Sequence, residues 1–399
     1  MANGDGEIAV TPSRWNDLVW LGLSYLVWTA MAVVYLAAIF HVDYPDLSIG
    51  SQFSSFVNLW DAAWYRGVAE FGYSWNGNPK IQQNVAFFPL YPLLVHLVHL
   101  LVPSLTIAEL TVAMACQVIC LILVYDLYLV NGMRSATALR VTLLLMLFPV
   151  GIYSWLGYPV SLICLLTVAS VLAYQKGRRW PAFALAGLGT AAGAGGLAVS
   201  AGLVVHDCLN REHRGWPSPT TLLRYAVGFG GIVGYSLYLG IKFHAPLAFV
   251  QAQAAWSERY SLGLLLTRFV TLSPIRDAIV MFLRTGGEDL FMHLQDALVL
   301  LVLIGIVLWS IFREWARWSP ATSIITVGLV FILLFAVDAQ NTSGAATRLV
   351  YPLLALVPAV PAIAGRDRLL DRLCMPAVAL FTVGSAMWLF FLAHHLWVE

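Results

Sequence analysis

Apolar runs recur along the whole chain, broken by prolines, glycine-rich turns and short charged clusters. Runs near 17–40, 109–130, 141–157, 159–174, 181–195, 197–209, 221–241, 290–311, 320–337, 348–364 and 376–397 predict about eleven transmembrane helices. The stretch 181–209 reads either as one long helix or as two, and that choice inverts everything after it. Splitting it at Thr190–Gly196 places 14 of the 22 lysines and arginines on the side of the N-terminus, from Arg14 to Arg372. The other eight, including Arg66, Arg259, Arg268 and Arg348, fall opposite, mostly in longer loops where the positive-inside rule is weak. The split is therefore preferred, with the N-terminus cytoplasmic. The segment Met1–Trp15 is polar, and the long run after it lacks a small-residue cleavage site, so it reads as a retained first span.

Composition agrees with a membrane solvent. Of 399 residues, 60% are hydrophobic and 11% charged, against about 25% charged in soluble domains. No polar block is large enough for a separate soluble domain, so 1–399 is expected to be a single transmembrane domain. A net charge of +1 gives no global pull towards nucleic acid. Cys116, Cys120, Cys164, Cys208 and Cys374 lie in or beside apolar runs without metal-ligand spacing and read as small core residues.

Three non-cytoplasmic segments follow from this topology: 41–108, 242–289 and 338–347. In the first, the apolar stretch from Ala86 to about Val102 is short and carries two prolines and two histidines, which suits a re-entrant or interfacial helix. Leu262–Phe282, interrupted by Arg268, Pro274, Arg276 and Asp277, is expected to be interfacial too. The mixed-charge runs 312–319 and 365–372 read as cytoplasmic connectors at the headgroups.

Candidate chemistry concentrates after the first span, in Asn58-Leu-Trp60-Asp61-Ala-Ala-Trp64-Tyr65-Arg66. On a helix Asp61 shares a face with Trp64 and Tyr65, which sets a proton acceptor beside flat apolar rings. The competing reading makes Asp61 a structural acid paired with Arg66. Arg348 begins a span after a polar stretch, where its guanidinium could take a lipid phosphate or simply reach the interface. Gln253 and Trp256, at i and i+3, suit sugar binding or an aromatic belt. His96 and His99 lack further ligands at a signature spacing, so no metal is indicated. Asn341-Thr-Ser343 matches a glycosylation sequon, a pattern too short to decide anything.

Three blocks then carry a family resemblance: Trp60-Asp61-Ala-Ala-Trp64-Tyr65, Ala69-Glu-Phe-Gly72-Tyr73, and Ala86-Phe87-Phe88-Pro89-Leu90-Tyr91-Pro92. In order and spacing they resemble the first luminal loop of the PIG-V family of mannosyltransferases. Leu147-Phe148-Pro149 leading to Tyr158-Pro159-Val160, Pro246–Trp256 and Arg348–Pro352 resemble its later landmarks. The resemblance implies an all-α polytopic GT-C fold and inverting transfer of mannose from polyprenyl-phosphate-mannose to a lipid or glycan acceptor. The lipid-linked donor is then a co-substrate, and no cofactor is called for. Asp61 becomes the general base, with Trp60, Trp64, Tyr65, Arg66, Tyr91, Tyr158, Gln253, Trp256, Arg259 and Arg348 as candidate substrate contacts. The expected setting is a bacterial plasma membrane with an extracytoplasmic site.

Three positions depart from the family pattern. Val160 stands where a glutamate is usual, Gly193 where an arginine is usual, and Ala245 where bacterial relatives carry aspartate. A rival reading follows: a relative that binds or transports lipid-linked sugars without the full chemistry. Another is transfer of a different polyprenyl-phosphate sugar.

Overall fold

The computed structural model describes residues 12–43, 45–210, 216–255, 301–312, 319–335 and 351–359, with 267, 270–271, 280, 377–378, 380–387, 389–390 and 393. Among the described residues every regular element is helical. The chain divides into two compact units, one of residues 1–70, 91–168 and 361–399, the other of 71–90 and 169–360.

In the first unit, α1 (Pro12–Asp43) and α5 (Leu105–Val130) are long and apolar enough to cross a membrane. At 1.5 Å per residue they extend roughly 48 and 39 Å. They pack with α6 (Ser135–Leu147) through Leu21, Tyr25, Leu121 and Met146, flanked by Trp28, Val118 and Leu143. Polar ties fix one end of this trio. Arg14 forks onto Asp126, Nε to Oδ1 at 3.0 Å and Nη2 to Oδ2 at 2.8 Å, a bidentate geometry that also sets register. Tyr125 and Ser135 both donate to Asp17 Oδ2. The start of α1, the end of α5 and the start of α6 therefore share one end of the unit. Short helices α2 (Ile49–Val57), α3 (Asp61–Phe71) and α4 (Leu90–His99) complete it, most of α3 lying in this unit. Ser48 and Ser104 cap α2 and α5, each hydroxyl accepting a backbone N–H of the first turn.

In the second unit, α8 (Arg179–Ala192), α9 (Gly195–Leu209), α10 (Pro219–Gly228), α11 (Gly230–Phe243) and the helix Pro320–Phe335 pack at close range. A methyl group built on Gly187 would fall 2.2 Å from the Val227 carbonyl oxygen, and one on Gly231 2.3 Å from the Gly187 oxygen. Only glycine allows that approach, the usual way helices associate where lipid removes the hydrophobic drive. Thr190 reinforces it: its hydroxyl donates to Gly187 O at 2.6 Å and accepts the Ile232 N–H at 3.0 Å, one of the amides a helix start leaves unpaired.

The sequence expectations meet this structure unevenly. The split of 181–209 stands, with α8 and α9 separated at Gly193 and Ala194. The run 141–157 is not one helix. α6 ends at Leu147, because Pro149 holds Phe148 extended (ψ 133°), and a 3-10 turn covers Pro149–Ser154. The run 221–241 is broken as well: α10 and α11 meet at 65° across Phe229. Two helices reach crossing length among the described residues, or three if that bent pair is one span, and six other apolar helices run 10–17 residues. α7 (Val160–Gln175) coincides with the expected 159–174. Ala86–Val102 gives α4, ten residues or roughly 15 Å, too short to cross. The expected loop 338–347, nearly all of Leu262–Phe282 and all of the connector 365–372 lie outside the described residues.

Candidate functional site

Asp61 is the first residue of α3, and the turn that delivers it is strained. Trp60 takes φ 51°, a left-handed backbone that a bulky side chain adopts at a cost of roughly 1–3 kcal/mol. One side chain bridges that residue. The Tyr158 hydroxyl accepts the Asp61 N–H at 3.1 Å and donates to the Leu59 carbonyl at 3.1 Å, closing a clamp over Trp60. Tyr158 is 1% exposed, and its neighbour Gly157 donates to Val57 O at 2.8 Å. A side chain at 157 would press on Val57 O at 3.2 Å and Ala62 at 3.3 Å.

Around the clamp the tyrosines form a wall. Tyr65 meets Tyr91 edge-on at 5.6 Å and Tyr158 at 6.5 Å, and Tyr153 meets Tyr158 at 5.4 Å. Tyr65, Tyr91 and Tyr158 are all buried, packed against one another beside the turn. Trp60, 51% exposed, and the half-buried Trp64 are the aromatics of this block at the surface.

Arg66 goes elsewhere. It lies about 140° round the helix from Asp61, and its Nη1 donates to Thr106 Oγ1 at 3.0 Å and Glu109 Oε2 at 3.2 Å. Glu109 is 1% exposed, so Arg66 neutralises a buried acid at the start of α5. Sequence reasoning missed Glu109 as Arg66's partner, although an acid just inside an apolar span is itself a signal. Glu109 and Asp126, seventeen residues apart on α5, put these two ion pairs about 26 Å apart along the helix. Arg66 also lines a cavity of about 820 Å³ with Ser54, Glu70, His99, Thr106, Phe53 and Val33, an acid-balanced mixture of hydroxyls and apolar walls.

Two sequence landmarks meet in the second unit. Phe88 packs on Phe249 at 6.0 Å, and the Gln253 amide donates to Ala86 O at 3.1 Å, so this candidate sugar contact is engaged by the backbone of the Phe-Phe-Pro block. Tyr73 and Tyr235 both donate to Phe87 O. Burial holds the Tyr73 phenol well above its ordinary range, so it stays a donor. His96 Nδ1 is 2.9 Å from Ala69 O, and among the described residues no three His, Cys, Asp or Glu side chains converge as a metal would require. Trp256, Arg259, Arg268 and Arg348 lie outside the described residues. Val160 starts α7, Gly193 follows α8 and Ala245 follows α11, so all three departures sit at helix ends.

A strongly apolar chain whose described elements are all helical fits a membrane-associated protein. The sequence model of the mannosyltransferase (PIG-V) family matches residues 34–253. The chain belongs to that family. No curated protein matches it. Solved structures similar to it include the Archaeoglobus fulgidus oligosaccharyltransferase with zinc and sulfate, at 15% identity and TM-score 0.48, covering 90% of this chain and 53% of that one. The apo form gives 14% and 0.45, covering 92% and 56%. The archaeal oligosaccharyltransferase AglB with an inhibitory peptide and a dolichol-phosphate gives 13% and 0.43, covering 92% and 55%. The chain spans about half the length of these proteins.

Proposed function

We propose that this glycosyltransferase moves mannose from a polyprenyl-phosphate-mannose donor to a hydroxyl of a lipid or glycan acceptor. It acts within a multi-pass GT-C fold, at the non-cytoplasmic face of a bacterial plasma membrane. The observation that carries the reading is the clamped left-handed turn that starts α3 at Asp61, inside the family-matched segment. Asp61 takes the acceptor proton as the acceptor oxygen bonds to the anomeric carbon. The bond from that carbon to the phosphate oxygen breaks, and the lipid phosphate leaves with its electron pair. One carboxylate suffices for such an inversion because the leaving group is already good. Trp60 and Trp64 offer the sugar a flat face, and the family resemblance assigns Trp256, Arg259 and Arg348 to sugar and phosphate contacts. The polar and apolar walls beside Arg66 suit an amphiphilic acceptor. Membrane fractions given radiolabelled polyprenyl-phosphate-mannose test this. Asp61→Asn is expected to slow transfer by roughly 10²–10⁴, and equal rates would remove Asp61 from the mechanism.

A second reading is kept by Val160, buried where relatives place a glutamate. It makes the chain a binder of lipid-linked sugar. Donor retention without turnover across an acceptor panel would favour it, and a donor panel separates mannose from other sugars.

A further inference from the structure

The second unit holds an ionic cluster that glycosyl transfer does not use. Asp207 on α9 accepts the Tyr174 hydroxyl on Oδ1 at 2.8 Å, and on Oδ2 the Tyr225 hydroxyl at 2.8 Å and Arg224 Nη2 at 3.2 Å. Arg179 Nη1 stands 3.9 Å from Oδ1, within ion-pair range but beyond a hydrogen bond. Its guanidinium carbon lies 3.6 Å from the centre of the Tyr174 ring. Arg179 Nη1 and Arg224 Nε are buried nitrogens with no hydrogen-bond partner.

Charge and donor number do not close this cluster. Two guanidiniums face one carboxylate, and three donors already occupy most of its roughly four lone-pair positions. Asp207 is the only acid among the described residues of 169–255, whereas Lys176 and Arg178 add positive charge next to Arg179. The start of α8 adds a partial positive charge and offers at most the Trp180 amide, since the Arg179 N–H donates to Gly177 O, the Ala182 N–H to Arg178 O, and Pro181 has none. Arg179 keeps 39% of its side chain exposed, so the cluster is reachable. Exposed Trp180, Leu222 and Leu223 lie beside it in the chain, the residue types that settle at a membrane interface.

We propose that Arg179, Arg224 and the start of α8 form a binding site for one phosphate-type oxyanion, supplied in the membrane by an anionic lipid headgroup. Planar guanidiniums with unused N–H donors suit such an oxyanion, and it would supply the second negative charge that Asp207 cannot.

Thermal unfolding of the full chain in phosphatidylcholine nanodiscs, with added phosphatidylglycerol or with added inorganic phosphate, tests the site. Both arms are read in wild type and Arg179→Gln. Wild type is expected to gain stability saturably, and Arg179→Gln to need about tenfold more ligand, with Arg179→Lys in between. A response to phosphatidylglycerol alone assigns the site to a lipid headgroup, and an equal response to inorganic phosphate to a free oxyanion. Either supports the proposal. Indistinguishable titrations of wild type and Arg179→Gln overturn it. If Arg179→Gln does not fold, phosphorus-31 NMR of wild type decides: a bound phosphate signal in slow or broadened exchange supports the site, and none in either arm overturns it.

Discussion

The two units hold their helices together with opposite materials. In the first, α1, α5 and α6 interlock through large side chains such as Tyr25, Leu121 and Met146, and charged ties fix one end. In the second, α8, α10 and α11 approach until backbone meets backbone at Gly187 and Gly231. A bulky interface can repack when one member changes, because neighbouring side chains have alternative rotamers. A glycine interface has no such slack. The adaptable unit is the one that holds the strained turn before Asp61, where the Tyr158 phenol and the close approach of Gly157 to Val57 keep the backbone in place.

The sharpest way to break this contrast is Gly187→Leu, which drives a side chain into the Val227 carbonyl and should cost more than about 5 kcal/mol, enough to lose the folded second unit. The matched change in the first unit, Met146→Leu, should cost less than about 1.5 kcal/mol in the same denaturant titration. Next is Arg66→Met, which strands the buried Glu109 carboxylate and should cost about 3 kcal/mol, with Glu109→Leu added on top restoring most of it. Failure of the double variant to recover would mean that Arg66 does more than balance charge. Tyr158→Phe takes the phenol from the Asp61 N–H, while the Leu59 carbonyl keeps the Ala62 N–H at 3.1 Å, a loss of about 1 kcal/mol. It should lower kcat for mannose transfer while leaving donor KM unchanged. The other small effect is Trp60→Gly, which relieves the left-handed backbone and should stabilise by about 1 kcal/mol. Steady-state kinetics should show transfer falling all the same, as the exposed indole is lost.

Local features were readable from the sequence, and long-range ones were not. The break between α8 and α9 was visible because a run of small residues marks it, and α7 because nothing interrupts it. The kink at Phe229 lay inside a run read as one span, although Gly228, Gly230 and Gly231 around it mark the break that hydropathy does not register. The end of α6 was marked by Pro149, but the apolar residues beyond it masked the stop. At the site, Asp61 and its tryptophans were picked out by adjacency. The pairing of Arg66 with Glu109, 43 residues away, left no local trace. Tyr158 was recognised as relevant, but its role lies in hydroxyl bonds to backbone atoms nearly a hundred residues earlier, which only the fold brings within reach.

That separation has a consequence for how the protein is made. Asp61 leaves the ribosome 97 residues before the tyrosine that fixes it. At roughly 5–20 residues per second, it waits about 5–20 s before its clamp is synthesised. During that interval Trp60 has no reason to hold a left-handed backbone, so the acid is inserted with the first helices and becomes a site only once the region around α7 joins them. A nascent chain arrested before Tyr158 should therefore contain every residue of the opening acid–aromatic block and show no transfer activity.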